Sequence, residues 1–382
     1  MQRRFITKSV LLGAFFALVM ALPVGQAFAQ GSTTSALSGT VVDEKGEGLP
    51  GATVIAVHEP TGSRYGASTR GDGRYNIVNM RVGGPYKVTV SFVGYKESVQ
   101  SGISLTLASE LRQNFKLELN QAQLEEVKVV ASRSSVINSG RTGAATTVSN
   151  SSITTLPTLN RSLGDFARLD PRANGLNFAG RNALYNNVTV DGAFFNNAFA
   201  LSPTIGGQAG ASPISVDAID QFQVLIAPYD VRQGMATGAN INVVTKSGTN
   251  DWTGSGYYFG TNEGLVGNKI GDATSQYGKF NRGQYGARVG GAIIKNKLFV
   301  FGSFEQEATT EPGSNFVATR TGTEPNKSIA KAEDLDRLKQ FLLTKYNYDP
   351  GAYENYNKEK YSQKANLRID WNISDKHKFN FK

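Results

Sequence analysis

Residues 216–252 read VDAIDQFQVLIAPYDVRQGMATGANINVVTKSGTNDW. Positions 221–227 have the apolar content of a short strand, and Pro228 ends it because a prolyl nitrogen offers no donor to a ladder. Gly234 and Gly238 then give the backbone room for tight crossings before a second strand over 240–245. That strand stops at Lys246-Ser247-Gly248, and from Trp252 the pattern changes to aromatic segments alternating with small or polar residues. The stretch joins two different kinds of β-structure.

Upstream of it, 187–190 forms a strand signal that runs into Asp191-Gly192, a dipeptide suited to a hairpin turn. Ser162 to Phe166 has the start of a helix, which Asp170-Pro171 stops, and the Ser/Thr/Gly-rich run 134–150 is expected to be a mobile loop. Together the Val-Asp-Gly strand end, the Pro213-Ile214-Ser215-Val216-Asp217-Ala218-Ile219 segment and the opening stretch resemble the plug domain of TonB-dependent outer-membrane receptors. The wording APYDVRQGMATGANINVVTKSGTN is most similar to the Oar-like branch of that family. In this resemblance Asp191, Gly192, Gly234 and Gly238 are structural positions of the plug.

Residues 124–133, LEEVKVVASR, alternate a valine face with a charged face. They read either as one more edge strand or, by position and wording, as a segment that resembles a TonB box. The second reading makes Glu125, Glu126, Val127, Lys128, Val129 and Val130 the contact residues for the periplasmic TonB protein, which would bind an extended segment by strand addition. Before this segment, residues 36–120 hold short strand-like runs at 37–42, 52–58, 65–69, 75–78, 86–93 and 114–119, with Gly and Pro turns between them, the pattern of a small sandwich. GTVVDEKGEGLPGATV, GDGRYNI and VSFVGYK are similar to the carboxypeptidase-regulatory-like, transthyretin-like module. Gly46 to Gly51 also fits GxGxxG, but Pro50 and the β-branched Thr53-Val54-Ile55 follow it, so it reads as a turn and not a dinucleotide loop.

The chain starts with Arg3, Arg4 and Lys8, an apolar run from Val10 to Leu22, and a small-x-small site that places cleavage between Ala29 and Gln30. Residues 1–29 thus read as a secretory signal; an uncleaved single-pass anchor is the alternative. No later stretch is apolar enough for a spanning helix, so a membrane crossing would be made by strands.

Downstream, 254–259, 284–294, 298–305 and 365–373 alternate, with turns at 295–297 and 374–377 and a return strand from 378. Phe299, Phe301 and their alternates would set one apolar face against one small or polar face, as lipid-facing and lumen-facing positions require. The connection 308–361 is long and polar, with helical spacing of Leu335, Leu338, Phe341 and Leu342. Short turns at one end and a long connection at the other suit an outer-membrane barrel; a soluble β-rich domain with a helical insertion is the alternative. Receptors of the family close on about twenty-two strands, and 251–382 can supply about five or six at ~10 residues each, so the chain is expected to be the N-terminal part of a longer protein.

The composition, with 42 Gly, 21 Phe and 15 Tyr in 382 residues, favours strands over an all-helical fold. The absence of cysteine excludes disulfides and thiolate chemistry. Net charge is +9, but the basic residues are scattered, which argues against nucleic acid as a partner. His58 and His377 fall in different segments, no hydrolase, Walker or EF-hand motif occurs, and Asp217 with Asp220 is too common a spacing to mark an acid/base couple. No catalytic residue, metal ligand or cofactor site is expected.

The fold class is therefore mainly β: signal peptide (1–29), transthyretin-like β-sandwich (36–120), TonB box (124–133), α+β plug (134–250) and the first strands of a transmembrane β-barrel (251–382). The resemblance implies energised import of an extracellular solute, with TonB and outer-membrane lipid as partners and the N-terminal domain in the periplasm. Two rivals stay open: an Oar-like adhesive or structural outer-membrane protein without import, and a secreted carbohydrate-binding β-protein.

Overall fold

The computed structural model describes residues 33–120, 144–158, 161–196, 212–226 and 237–382, apart from positions 268, 272, 275–278, 315, 325 and 376. The signal segment with Ala29 and Gln30, the whole of 124–133, and Gly234 lie outside the described residues.

Residues 35–116 form a sandwich. Its strands are β1 (Ser35–Val42), β2 (Thr53–His58), β3 (Ser63–Ser68), β4 (Arg74–Met80), β5 (Gly83–Ser91), β6 (Ser98–Leu105), β7 (Glu110–Arg112) and β8 (Phe115–Lys116). They make two sheets, β4-β1-β7 with β8 also on β1, and β3-β2-β5-β6. Strict alternation along β1 and β2 sends Leu37, Val41, Val54 and Ala56 inward, where they meet Tyr86, Val88 and Val90 of β5. The turn at Gly46 to Gly51 leads into β2 and opens no helix. Two strands escape the sequence pattern. β6 begins with Ser98-Val99-Gln100-Ser101, all half-buried, so apolar alternation is missing there, and β7 is three residues long. The strand expected over 114–119 contracts to β8.

A mixed sheet follows. Its elements are β9 (Ala144–Val148), the helices Asn150–Thr155 and Leu163–Ala167, a hairpin of β10 (Ala173–Asn174) and β11 (Asn177–Phe178), then β12 (Asn187–Val190), β13 (Ala193–Phe194), β14 (Ile219–Ile226) and β15 (Ala239–Thr245). The order is β13-β12-β15-β14-β9, with β15 parallel to β12 and antiparallel to β14. Every residue of β15 is buried, although Asn240 and Asn242 alternate with Ala239, Ile241 and Val243; the Asn242 Oδ1 is satisfied by the Thr189 hydroxyl, which donates to it at 2.8 Å. The expected loop over 134–150 is corrected in part: 144–148 pairs with β14 as the sheet edge, supported by the β-branched Thr146, Thr147 and Val148. The helix Leu163–Ala167 is closed at its start by Asp165, whose Oδ2 accepts from the Ser162 amide at 3.2 Å. It packs Phe166 edge-on to Phe222 of β14, with ring centroids 6.0 Å apart.

The third unit is a curved antiparallel sheet, the wall, in the order β16-β19-β20-β23-β24. It comprises β16 (Thr253–Asn262), a small hairpin of β17 (Lys269–Ile270) and β18 (Ala273–Thr274), then β19 (Asn281–Ile294) and β20 (Leu298–Pro312). Next come β21 (Val317–Thr319), β22 (Lys327–Lys331), the helix Ala332–Tyr346, β23 (Asn357–Asn372) and β24 (Lys378–Phe381). The strands β20 and β23 continue beyond the alternating segments, so the long connection shortens to 313–356; polar cross-strand pairs such as Lys360 with Glu311, at 3.0 Å, carry this extension. Register separates the faces. Arg288 lies opposite Ser303, Lys364 opposite Glu305 and Arg368 opposite Phe301 on one side. Tyr258, Tyr285, Val289, Phe304, Leu367, Trp371 and Phe379 are exposed on the other. Tyr361 and Trp371 stand ten residues apart on this outer face, about 33 Å along the strand at ~3.3 Å per residue and about 25 Å once a tilt of ~40° is applied, the height of a lipid-facing band. Phe299 and Phe301 are on the inner face, both buried, and Phe301 belongs to the apolar cluster of the central sheet. The two-residue period holds, but the phenylalanines that suggested it face inward. Among the described residues, no helix is long and apolar enough to cross a membrane.

Phe222 is the large side chain shared by the helix and the central sheet. Phe222→Ala is expected to cost about 3–5 kcal/mol, seen as a lower urea midpoint for protease cutting within 144–245, while the wall strands stay resistant.

Candidate functional site

The chain leaves the central sheet at Thr245 and enters the wall at Thr253, and the polar groups of both units converge around this exit. Asp191 and Gly192 form the turn between β12 and β13, with φ of +50° and +88°, a geometry that suits a short polar residue followed by glycine. The turn aims the Asp191 carboxylate at the end of β15. Its Oδ1 accepts from the Thr245 amide at 3.2 Å and its Oδ2 from the Thr245 hydroxyl at 2.5 Å.

The wall supplies the opposite charge. Arg368 of β23 donates from Nη1 to the Thr245 carbonyl at 2.6 Å and lies 3.9 Å from Asp191 Oδ1. Its Nε and Nη2 grip Asp370 at 2.9 and 3.1 Å, and Asp370 accepts in turn from Arg81 of the sandwich at 2.7 Å. The covalent crossing beside this group passes through Gly248, where a Cβ would come within 2.4 Å of the Gly291 carbonyl oxygen and 2.6 Å of that of Val300. A side chain there would push the chain off the wall. Gly238 is also a close approach, since a Cβ would stand 2.5 Å from Asn186 Oδ1, the atom that accepts from the Ala239 amide.

A second polar group sits higher in the wall. Glu305 is buried and accepts from Ser215 at 2.7 Å, Tyr257 at 2.5 Å and Lys364 at 2.5 Å. Arg161 of the central unit stacks on Tyr257 and Phe259, at 4.5 and 4.3 Å from the ring centroids, and pairs with Asp217 at 3.1 Å. Asp217 and Asp220 do not act as a couple: Asp217 serves Arg161, whereas Asp220 bonds Asn150 and is pushed up by burial. Lys246 donates to the Asp217 carbonyl at 3.0 Å, and burial, aided by the Arg288 charge, pushes it down to about 8. A cavity of about 800 Å³ opens among the sandwich, the central sheet and the wall, lined by Arg81, Arg288, Arg368, Lys246, Asp220 and Asp370 among others.

Within the central unit, Asp170 holds the edge strand. It is fully buried, takes Arg172 through two side-chain bonds of 2.8 and 2.6 Å, and accepts from Thr146 of β9 at 2.8 Å. The Arg172 bonds, against a burial cost, bring its carboxyl down to about 2. Chemically these groups are partnered charges that fix position. The described residues contain no group of three or more His, Cys, Asp or Glu able to hold a metal. His58 is a buried strand residue, hydrogen-bonded through Nδ1 to Thr61 at 2.7 Å, and burial lowers its pKa to about 3.

The family model for a carboxypeptidase regulatory-like domain matches residues 36–118, and that for an outer membrane beta barrel domain matches 244–382. The TonB-dependent transporter Oar of Myxococcus xanthus is 28% identical over 302 residues, which cover 74% of this chain and 27% of that protein. In this order of modules the chain is similar to the TonB-dependent outer-membrane receptors. The barrel match makes it an outer-membrane protein with its N-terminal domain in the periplasm, and the chain spans about a quarter of the length of the curated relative it matches. Among solved structures, the outer membrane transporter YddB from Escherichia coli aligns with 60% of this chain and 31% of its own length, at 14% identity and a TM-score of 0.40. A catechol 1,2-dioxygenase from Acinetobacter aligns with 28% of this chain and 60% of its own, at 14% identity and a TM-score of 0.20. Both likenesses are partial.

Of the residues singled out in the sequence, Asp191 and Gly192 fall at the exit, Gly238 lies at the opposite end of β15, and the 124–133 positions lie outside the described residues. Arg368, Asp370, Glu305, Lys364 and Arg161 were not singled out. For Arg368 and Asp370 a signal exists: they alternate with Leu367, Ile369 and Trp371, so one face of a membrane strand carries two opposite charges.

Arg368→Ala removes the cation that Asp370 and Asp191 share, although Arg81 still pairs with Asp370 at 2.7 Å and Lys382 with Asp191 at 3.1 Å, so the loss is about 1–3 kcal/mol. Cells carrying this variant are expected to become sensitive to vancomycin, a large antibiotic that enters only through an unseated channel, with Arg368→Lys intermediate. For Asp170 the folded carboxyl titrates below its free range, so its stabilisation is complete above about pH 4 and is lost as pH falls toward about 2. Amide exchange of 144–148 should rise over that window in the parent, and Asp170→Asn should flatten the dependence.

Proposed function

We propose that the receptor imports a solute across the outer membrane by TonB-driven movement of the plug, residues 134–250, within the barrel that begins at 251. The observation that supports this most directly is the junction itself: a sheet held to the wall by directional polar contacts and one covalent crossing at Gly248. Such contacts fix a closed register and still exchange for water when force is applied. In this reading residues 1–29 are a signal cleaved after Ala29, 36–120 a periplasmic sandwich, and Glu125 to Val130 the contact with TonB. Asp191, Gly192, Gly234 and Gly238 shape the plug. No residue of the receptor has a catalytic role, and the kinship with a transporter supports that.

An adhesive role without import is the second reading. It is favoured by the connection 313–356, whose helix leaves Leu338, Phe341 and Tyr346 exposed. The box separates the two. Val127→Pro with Val129→Pro removes two strand donors and is expected to weaken binding of the purified TonB periplasmic domain to the whole receptor at least about tenfold, by titration calorimetry. Unchanged affinity would rule out this contact and leave the adhesive reading.

A further inference from the structure

Leu107 is fully buried, yet it stands outside the apolar core of its own sandwich. It packs with Val82 against Val244 of plug strand β15. Around it the backbone of the sandwich serves the plug. The Leu107 amide donates to Gln221 Oε1 at 3.0 Å, and Gln223 Nε2 donates to the Leu107 carbonyl at 2.9 Å. Gln221 and Gln223 lie two apart on β14, the strand between β15 and the edge strand β9. Gln223 also reaches Thr147 of β9, at 3.3 Å. Next to Val82 in the chain, Arg81 binds Asp370 of the wall.

We propose that the sandwich is a periplasmic cap that clamps the plug to the wall, and that it must be released before the plug can move. The argument rests on its double attachment. Through Leu107 the cap holds β14 and β15, and through Arg81 it holds β23, so the plug cannot shift against the wall while both remain docked. The amides of Gln221 and Gln223 are polar groups on a buried strand; in the closed state they bond cap backbone atoms, with Thr147 as a further partner of Gln223, and water replaces the cap partners on release. The clamp deepens the import reading and rests on it for its role. In sequence the proposed box lies between the cap and β9, so a pull applied there bears on both.

The 382 residues hold no cysteine, so a pair introduced among them reports cleanly once any cysteine elsewhere in the full-length receptor is replaced by serine. A Cβ on Gly62 of the cap would stand 3.0 Å from Cβ of Asn296 in the wall turn, within reach of a disulfide after a small shift. In full-length receptor purified from outer membranes, Gly62→Cys with Asn296→Cys should oxidise to a bridged form in high yield. Bridging should slow amide exchange of 219–226 about tenfold, and reduction should restore it. Leu107→Asp, and separately Gln221→Ala with Gln223→Ala, should speed it about tenfold; Leu107 lies outside the sandwich core, so the cap itself stays folded. Failure to form the bridge, or identical exchange in all forms, overturns the clamp. Binding of the TonB domain at the box is measured in parallel. Normal binding with unresponsive exchange refutes the clamp alone, whereas responsive exchange without TonB binding refutes the import reading alone.

Discussion

The Arg368 guanidinium holds three parts of the molecule at one point: the last carbonyl of plug strand β15, the Asp370 carboxylate of its own wall strand and, at 3.9 Å, the Asp191 turn of the plug. A strand that faces lipid with Leu367, Ile369 and Trp371 has only its inner face for polar groups. An arginine on that face is buried only because the plug covers it. Burial makes its partners obligatory, since an unpaired charge there is far more costly than the pair. The sites of Asp191, Thr245 and Asp370 follow from that requirement.

The plug rests on the wall in two ways. Phe301 reaches into the plug's apolar cluster, and Phe299 beside it is also buried. Glu305 of β20 and Arg368 of β23 meet the Ser215 hydroxyl and the Thr245 carbonyl of the plug, and Lys364, directly opposite Glu305, pairs with it inside the wall. The apolar contact gives area without direction, and the polar contacts give register. Gly248 lets the backbone pass close enough to β19 and β20 for both to form.

The wall and the inner plug strands were legible in the sequence because period two and turn chemistry are local signals. Lys295-Asn296-Lys297 and Asp191-Gly192 mark their turns without help from the rest of the chain. β6 and β9 were not legible: Ser98-Val99-Gln100-Ser101 and Ala144-Ala145-Thr146-Thr147 become strands only because β5 and β14 offer them an edge. The inward direction of Phe299 and Phe301 was hidden for a related reason. Alternation tells which residues share a face, but not which face has a plug behind it. The junction was the least visible part, because Arg81, Asp191 and Asp370 come from three units far apart in the chain and no spacing rule links them.

Polar contacts at this junction also answer a mechanical need. An apolar seat of equal area would hold the plug at many small displacements, since its energy depends on area and hardly on direction. Hydrogen bonds fail steeply with angle and distance. A plug seated by Asp191, Arg368 and Glu305 therefore has one closed position, and a displacement of about an ångström forfeits several contacts together. On the import reading proposed above, once these contacts break the charges of the wall face an aqueous lumen where solvation offsets most of their loss. On that reading the same groups that define the closed register keep the open one within reach, and the apolar contact of Phe301 gives the plug a surface to return to.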